Sequence, residues 1–387
     1  MNAPKLRFKE FNDGWQKKEL REISQIYDGT HQTPNYIQNG VPFVSVEDIS
    51  DIEKTNKFIS KNAFEKEFKI KPQVNDILMT RITAGIIGAT AIVKNNNPLG
   101  YYVSLALIRK NKEIDVNYLN QYINCFKFKK ELNKRIIHVA FPKKINLGDI
   151  GKCKISITSI NEQQKIGKML NILDRKIELQ SKKIEDLKLL KLYTENSLLN
   201  SSSSIHWKKL KLNDILIEGN KEPVKNTNDF KKITIKLNLN GLEFNESKRE
   251  MSDKRPFYIR EENEIIIGKQ NYFNGSIAIV TKEFSGCICS NAIMSFKVKE
   301  GYNLNYIYLY LSQKRYMKER EFLANGTGQK ELSEKEFLKF TIKVPEDSVV
   351  NNITTIIDKI NKKINFENNK LNKLIELKKG LMQSMFV

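Results

Sequence analysis

The chain has 387 residues, enough for two or three domains with separate hydrophobic cores. It contains 66 Lys and Arg against 45 Asp and Glu, which gives a net charge of +21. This charge suits a polyanion, because each phosphate contacted releases condensed counterions, although a cytoplasmic protein rich in Lys and Asn would carry it too. Four cysteines are too few for a disulfide framework, no apolar stretch approaches a membrane-spanning length, and the first residues lack the apolar core of a secretory signal. We therefore expect a cytoplasmic protein.

The first half opens with short β-rich runs that Gly, Asn and Pro clusters separate. The runs predicted as strands are residues 41–46, 76–81, 89–93 and 101–108. One helix is predicted near residues 116–135, followed by a short strand at 153–157. This order predicts a mixed α/β globule.

A long helix follows, in which apolar residues recur at alternating spacings of four and three. This spacing keeps one seam of the helix facing a partner helix, as in a coiled coil. The seam positions are Ile166, Leu170, Leu173, Ile177, Gln180, Ile184 and Leu187. The polar Gln180 weakens packing but can fix the register. Asn200 and the serines at 201–204 then form a polar linker.

The second half repeats the first. Four pairs of similar segments occur in the same order at offsets of 187 to 192 residues. They begin at Trp15 and Trp207, Asn75 and Asn263, Gly88 and Gly275, and Asp115 and Asn303. Strands are predicted at residues 232–237, 264–269, 276–280, 295–299 and 340–344, with one helix near 304–323. An offset this long indicates two domains rather than a solenoid.

The last segment repeats the long helix, and every seam position has a counterpart 187 residues further on. These are Ile353, Ile357, Ile360, Ile364, Glu367, Leu371 and Leu374. Each helix could simply pack on its own domain, but two helices of matched pattern favour pairing with each other.

These patterns predict an α+β fold. Two repeated mixed α/β globules are separated by two long antiparallel coiled-coil helices in a pseudo-two-fold arrangement. We expect the first globule at residues 1–158, the first helix at 159–200, the second globule at 201–345 and the second helix at 346–387.

Enzymatic machinery is not recognisable in the sequence. No phosphate-binding Gly-rich loop occurs, and the nearest approach to the tetrapeptide of amino-methyltransferases, at residues 97–100, reads as a turn. No Ser/His/Asp or Cys/His catalytic signature is present. His31, His138 and His206 are far apart, and Cys287 and Cys289 have strand spacing inside an apolar run, so no metal site is expected.

Three segments resemble the specificity subunit of type I restriction–modification systems. Residues 161–166, Asn-Glu-Gln-Gln-Lys-Ile, look like the first junction between globule and helix, and residues 326–333 look like the loop before the last strand of a recognition domain. Residues 374–386 look like the terminal helix. Two segments depart from the pattern: residues 345–351 lack the Glu-Gln-Gln-Lys run, and residues 141–147 replace the Gly-Thr-Gly-Gln loop.

The resemblance implies a chain that reads a two-part sequence in double-stranded DNA, with one target recognition domain per half-site and the helices as spacer. It also implies two methyltransferase subunits, which bind S-adenosylmethionine and methylate a flipped-out adenine. ATP-dependent motor–nuclease subunits could join them. The chain itself would be non-catalytic and hold no cofactor or metal.

Base readout needs donors and acceptors on loops that a rigid scaffold carries. The DNA-binding candidates in the first globule are Thr30, His31, Gln32, Thr33, Tyr36, Arg81, Lys143 and Lys144. Those in the second globule are Lys269, Asn271, Tyr272, Asn274, Gln329 and Lys330. Arg81 and Lys269 end corresponding strands, where a phosphate or guanine contact is plausible. Each candidate could equally be a solvated loop residue, and Trp15, Tyr27 and Trp207 are expected to be core anchors.

Two other functions remain compatible with the sequence. One is a non-enzymatic coiled-coil adaptor that joins two interaction modules, and it would be indifferent to duplex DNA. The other is a stand-alone DNA methyltransferase or nuclease with diverged motifs. Tight binding of S-adenosylmethionine by the purified chain would favour the methyltransferase.

Overall fold

The computed structural model describes residues 4–200, 206–245, 255–323 and 331–386. The chain divides into two compact units. Unit 1 comprises Met1–Glu185 with Phe366–Val387, and unit 2 comprises Asp186–Asn365. Each unit therefore combines a globule with part of each long helix.

The centre of unit 1 is a four-stranded antiparallel sheet. In spatial order its strands are Ser24–Asp28, Leu105–Lys110, Ile77–Thr80 and Thr90–Ile92. Successive strand side chains point to opposite faces, so Ile77 and Met79 enter one core while Leu78 enters another. Burial on both faces explains why this strand reads as a continuous apolar run.

The remaining elements of unit 1 surround this sheet. Its smaller sheets pair Gln16–Glu19 with Lys154–Ile157, Ile82–Thr83 with Lys143–Lys144, and Val41–Val44 with both Phe58–Ile59 and Gly100–Tyr101. Its short helices are Leu20–Ile23, Val46–Asp48, Ile52–Lys54, Lys61–Glu67, Val116–Ile123, Phe126–Asn133 and Leu147–Gly151.

Unit 2 repeats the four-stranded sheet of unit 1. Its four-stranded sheet has the spatial order Leu216–Glu218, Ile293–Val298, Ile265–Gly268 and Ile277–Ile279. Its strand pairs are Lys208–Lys211 with Thr341–Val344, Ile233–Ile235 with Leu242–Phe244, and Phe257–Ile259 with Ile288–Ser290. Its short helices are Leu212–Ile215, Thr227–Asp229, Tyr272–Asn274, Lys282–Phe284, Leu304–Leu311, Lys314–Lys318, Glu321–Leu323 and Glu334–Leu338. The predicted duplication into two mixed α/β globules is confirmed.

The prediction of one continuous helix in each globule is wrong. In unit 1 the helix ends at Ile123, and a second helix begins at Phe126 after Cys125, whose Sγ accepts a hydrogen bond from the Phe128 amide at 3.5 Å. In unit 2 the break falls at Ser312. Both helices of each pair pack on one core, so the apolar spacing continues across the break and conceals it.

The two long helices span Ile160–Asn200 and Asp347–Met385. In unit 1 they run antiparallel, because Asp174 pairs with Lys378 whereas the later Gln180 donates to Glu367 Oε2 at 2.7 Å. The helix segments in unit 2 are antiparallel as well. Leu199 of the first long helix packs in one cluster with Val350 of the second, whereas the earlier Lys191 lines a cavity together with the later Asp358. The predicted antiparallel pairing is thus confirmed within each unit.

The seam residues are removed from solvent as the four-three spacing predicts. Buried positions are Ile166, Leu170, Leu173, Ile184, Ile353, Ile357 and Ile364. Half-buried positions are Ile177, Leu187, Ile360, Leu371 and Leu374. The two polar seam residues contact each other, since Gln180 donates to the carboxylate and the backbone carbonyl of the buried Glu367.

The C-terminal end of the second long helix is part of the unit 1 core. Phe386 is buried there, with ring centroids 5.5 Å from Tyr118 and 5.1 Å from Tyr122. Its backbone carbonyl accepts a hydrogen bond from Lys127 Nζ at 2.8 Å. The last residues of the chain therefore help to close the first globule.

We expect Phe386→Ala to lower the free energy of unfolding of unit 1 by about 3–5 kcal/mol, since it leaves a cavity between two tyrosine rings. Chemical denaturation followed by tyrosine fluorescence measures the loss. Phe126→Ala is a matched control, because Phe126 lies in the same unit with 73% of its surface exposed. Equal effects of the two substitutions would contradict the anchoring role.

Candidate nucleic-acid interface

Several predicted DNA-binding residues of unit 1 lie around one partly buried ion pair. Arg81 directly follows the central strand, and its Nη2 lies 2.8 and 3.0 Å from the two carboxylate oxygens of Asp28. Its Nη1 donates to the carbonyl of Ile145 at 3.4 Å. Arg81 thus joins the end of an edge strand to the segment that carries Lys143 and Lys144.

The loop after Asp28 is held tightly at its start. A Cβ at Gly29 would lie 2.6 Å from the backbone of Tyr101 and Tyr102, so only glycine fits there. The next residue, Thr30, is buried and donates from Oγ1 to Glu67 at 3.1 Å. Burial, reinforced by the nearby Asp28 charge, raises the pKa of Tyr101, whose hydroxyl donates to the Asp28 carbonyl at 2.9 Å.

The residues after Thr30 face solvent. His31 is exposed, with Nε2 2.8 Å from Asp28 Oδ2, and Gln32 and Thr33 are exposed beside it. Tyr36 is about half exposed, and its ring packs 5.9 Å from Phe43. This loop can therefore offer both donors and acceptors to a partner.

Lys143 and Lys144 lie on a two-residue strand that pairs with Ile82–Thr83. Both side chains are exposed, and neither ammonium is paired with a carboxylate of the described residues. Because the strand leads directly to Ile145, the Arg81–Asp28 pair supports these lysines and His31 together. Arg81 itself is buried, so we assign it a supporting role in place of direct DNA contact.

Unit 2 has a corresponding arrangement built from different residues. Lys269 follows the central strand, 188 residues after Arg81, and its Nζ lies 3.6 Å from Glu334 Oε1. Glu334 also pairs with Lys221, which follows the edge strand. The amide of Leu332 donates to the Lys269 carbonyl at 2.9 Å, as that of Ile145 donates to the Arg81 carbonyl at 3.0 Å in unit 1.

The other predicted residues of unit 2 divide into two groups. Asn271 and Asn274 are exposed on one turn, where Asn274 Nδ2 donates to Asn271 Oδ1 at 3.2 Å. Tyr272 between them is buried, and its hydroxyl donates to the Leu311 carbonyl at 2.8 Å, so we leave it out of the interface. Gln329 and Lys330 lie outside the described residues.

Sequence reasoning missed Asp28 and Glu334, the acidic partners that hold these loops. Asp28 stands in an Asp-Gly turn pattern, which gave the only signal for it. Trp15, Tyr27 and Trp207 pack against hydrophobic cores as predicted. Cys287 and Cys289 are buried, in agreement with their prediction as small hydrophobes.

Among the described residues, no group of three or more His, Cys, Asp or Glu is arranged to hold a metal ion. No helix in this described part of the chain is both long and apolar enough to cross a membrane.

Comparison with known proteins gives one family. The model of the type I restriction modification DNA specificity domain matches the chain twice, over residues 12–189 and 205–377. Among solved structures, the chain is similar to the S subunit of a type I restriction-modification system from M. genitalium, with 14% identity and a TM-score of 0.63. The match covers 100% of this chain and 99% of that one.

A second similar structure comes from work on the structural basis of complex assembly and conformational transition of the type I R-M system. It matches with 12% identity and a TM-score of 0.55, covering 95% of this chain and 96% of that one. Because the sequence identities are this low, the two similarities show the fold alone.

Proposed function

This chain belongs to the type I restriction modification DNA specificity family, and we propose that it reads a two-part sequence in double-stranded DNA, with one half-site for each unit. One observation supports this most directly. At the end of the central strand, Arg81 pairs with Asp28 in unit 1 and Lys269 pairs with Glu334 in unit 2, and the loops beside these pairs carry different exposed side chains. Different loops on equal scaffolds can recognise different half-sites.

The chemistry of the loops supports direct readout. His31, Gln32 and Asn271 can donate and accept in the major groove, while Lys143 and Lys144 can contact guanine or phosphate. The net charge of +21 adds affinity that is independent of sequence and falls as salt rises.

Exposed apolar side chains on the long helices support docking of partner subunits. Leu179 and Leu190 are eleven residues apart, about three helical turns, and so lie on one face. Phe366 and Leu377 occupy the corresponding positions of the second long helix, 187 residues further on, and are exposed as well. Apolar positions that occur once per repeat suit two copies of one partner.

We propose that these partners are two methyltransferase subunits, which bind S-adenosylmethionine and methylate an adenine that they flip out of the duplex. Motor–nuclease subunits can join them for DNA cleavage. In this assembly the chain supplies specificity, works in the cytoplasm, and carries neither a catalytic centre nor a cofactor.

Methylation-aware sequencing of host DNA, with and without this gene, tests the proposal. The expected result is a two-part motif with adenine methylation that disappears when the gene is deleted and returns when it is restored. An unchanged methylation pattern, together with a purified chain that ignores duplex DNA at low salt, would contradict the proposal and favour a coiled-coil adaptor.

Arg81→Ala is expected to weaken binding of the first half-site about ten- to hundredfold. It removes charge-assisted hydrogen bonds that are worth about 1.5–3 kcal/mol in total and that hold the His31 loop to the Lys143 segment. Duplexes with either half-site scrambled separate the two contributions at one salt concentration. Lys269→Ala is the matched control and should weaken the other half-site. Equal loss at both half-sites from Arg81→Ala would rule out a local supporting role.

A further inference from the structure

A short hairpin loop in unit 1 exposes two large apolar side chains. The loop covers residues 138–142 and is closed by the Ile137 amide, which donates to the Lys144 carbonyl at 2.8 Å. At its tip Val139 is 98% and Phe141 is 92% exposed. Residues before and after the tip, such as Ile136 and Ile145, reach the core, so these two side chains are directed away from it.

A neighbouring loop adds a third apolar side chain. Ile86 is 75% exposed and follows the strand Ile82–Thr83, which pairs antiparallel with Lys143–Lys144. Since Thr83 is opposite Lys143, Phe141 and Ile86 leave the paired strands at the same end. The loop is fixed, because Thr80 Oγ1 donates to the Ile86 carbonyl at 2.7 Å. Single exposed apolar residues are common, but a group on adjoining loop tips indicates a binding surface.

The charges around this apolar tip indicate what binds there. Residues 134–144 contain four Lys and Arg and no Asp or Glu. Lys134 and Arg135 pair with Glu131, while Lys143 and Lys144 have no carboxylate partner among the described residues. A partner must therefore offer negative charge next to flat apolar surfaces. Duplex DNA offers both, as phosphates and as base faces.

We propose that Phe141, assisted by Val139, inserts against a base step of the half-site read by unit 1 and partly unstacks it, while Lys143 and Lys144 contact the adjacent phosphates. Apolar wedges of this kind open base steps in duplex DNA, and aromatic stacking on a base strengthens binding. This inference rests on the proposed function. It adds that the chain deforms its target as well as contacting it.

The two half-sites then differ in deformation. The segment of unit 2 that corresponds to the hairpin loop has the sequence Asn-Gly-Thr-Gly-Gln-Lys at residues 325–330, without a large apolar side chain. We therefore expect Phe141 to unstack the half-site of unit 1, the one that changes when residues 1–158 are exchanged.

The test uses the full chain in complex with its methyltransferase partners and duplexes of the sequenced target. 2-Aminopurine replaces one base at a time and never a methylated adenine. Its fluorescence should rise at one step of the first half-site with the wild type and stay low with Phe141→Ala. Binding by this variant should weaken about ten- to hundredfold. Phe126→Ala, an exposed phenylalanine at the far end of the preceding helix, should behave as wild type.

Three outcomes would overturn the inference. One is a wild-type complex that binds without any fluorescence rise, and another is a rise that Phe141→Ala retains. The third is a Phe141→Ala variant that no longer co-purifies with the methyltransferase, because the loop would then contact protein. A wild-type complex that does not bind the target duplex would instead refute the proposed function. An unchanged unfolding midpoint, expected for so exposed a side chain, shows that the variant is folded.

Discussion

Exchange of residues 1–158 for the matching segment of a relative is expected to replace one half-site of the DNA target completely and to leave the other unchanged. The reason is that the loop with His31 and Gln32 and the short strand with Lys143 and Lys144 are both attached to strands of unit 1. Methylation-aware sequencing of a host that expresses the chimera reads both half-sites at once.

The donor segment must keep two contacts with residues that the exchange leaves in place. Arg7 donates from Nε and Nη2 to the two carboxylate oxygens of Glu162, both at 2.8 Å, and Glu162 is fully buried. A donor without this arginine would leave a buried carboxylate unpaired, at a cost of about 3–5 kcal/mol. Tyr118 and Tyr122 must likewise remain to receive Phe386. A folded chimera that altered both half-sites would contradict one half-site per unit.

Deletion of one matching heptad from each long helix, residues 181–187 and 368–374, is expected to shorten the gap between the half-sites. Each deletion removes ~10 Å of helix and preserves the four-three spacing on both sides, so the seam can reseal. A base pair advances ~3.4 Å, which sets a ceiling of about three base pairs for the change. Tilt of the helices from the DNA axis reduces it.

The outcome is measured as the spacing of the methylated motif, with both half-site sequences expected to stay the same. Activity is lost instead if the new twist between half-sites is unfavourable. Deletion of residues 181–187 alone is the control, since the unshortened partner helix opposes the change. An active double deletion that keeps the original gap would show that these helices do not set it.

The sequence by itself determined the features that short-range periodicity encodes. Apolar residues at four-three spacing, repeated at an offset of 187 residues, specified both long helices and their seam, including the polar pair Gln180 and Glu367. The strands at 77–80 and 265–268 and the duplication followed from the same kind of pattern. Such patterns are visible in the sequence because each helix or strand must bury one face, whatever element it packs against.

Only the tertiary structure decided which polar and aromatic loop residues face solvent. Arg81 turns inward because Asp28, 53 residues earlier, meets it across the sheet, and Tyr272 is buried because the carbonyl of Leu311 receives its hydroxyl. Phe141 is exposed although its residue type favours burial. In each case, burial or exposure depends on whether a chain segment distant in sequence packs against the side chain. The spacing of residues within one segment does not encode such contacts.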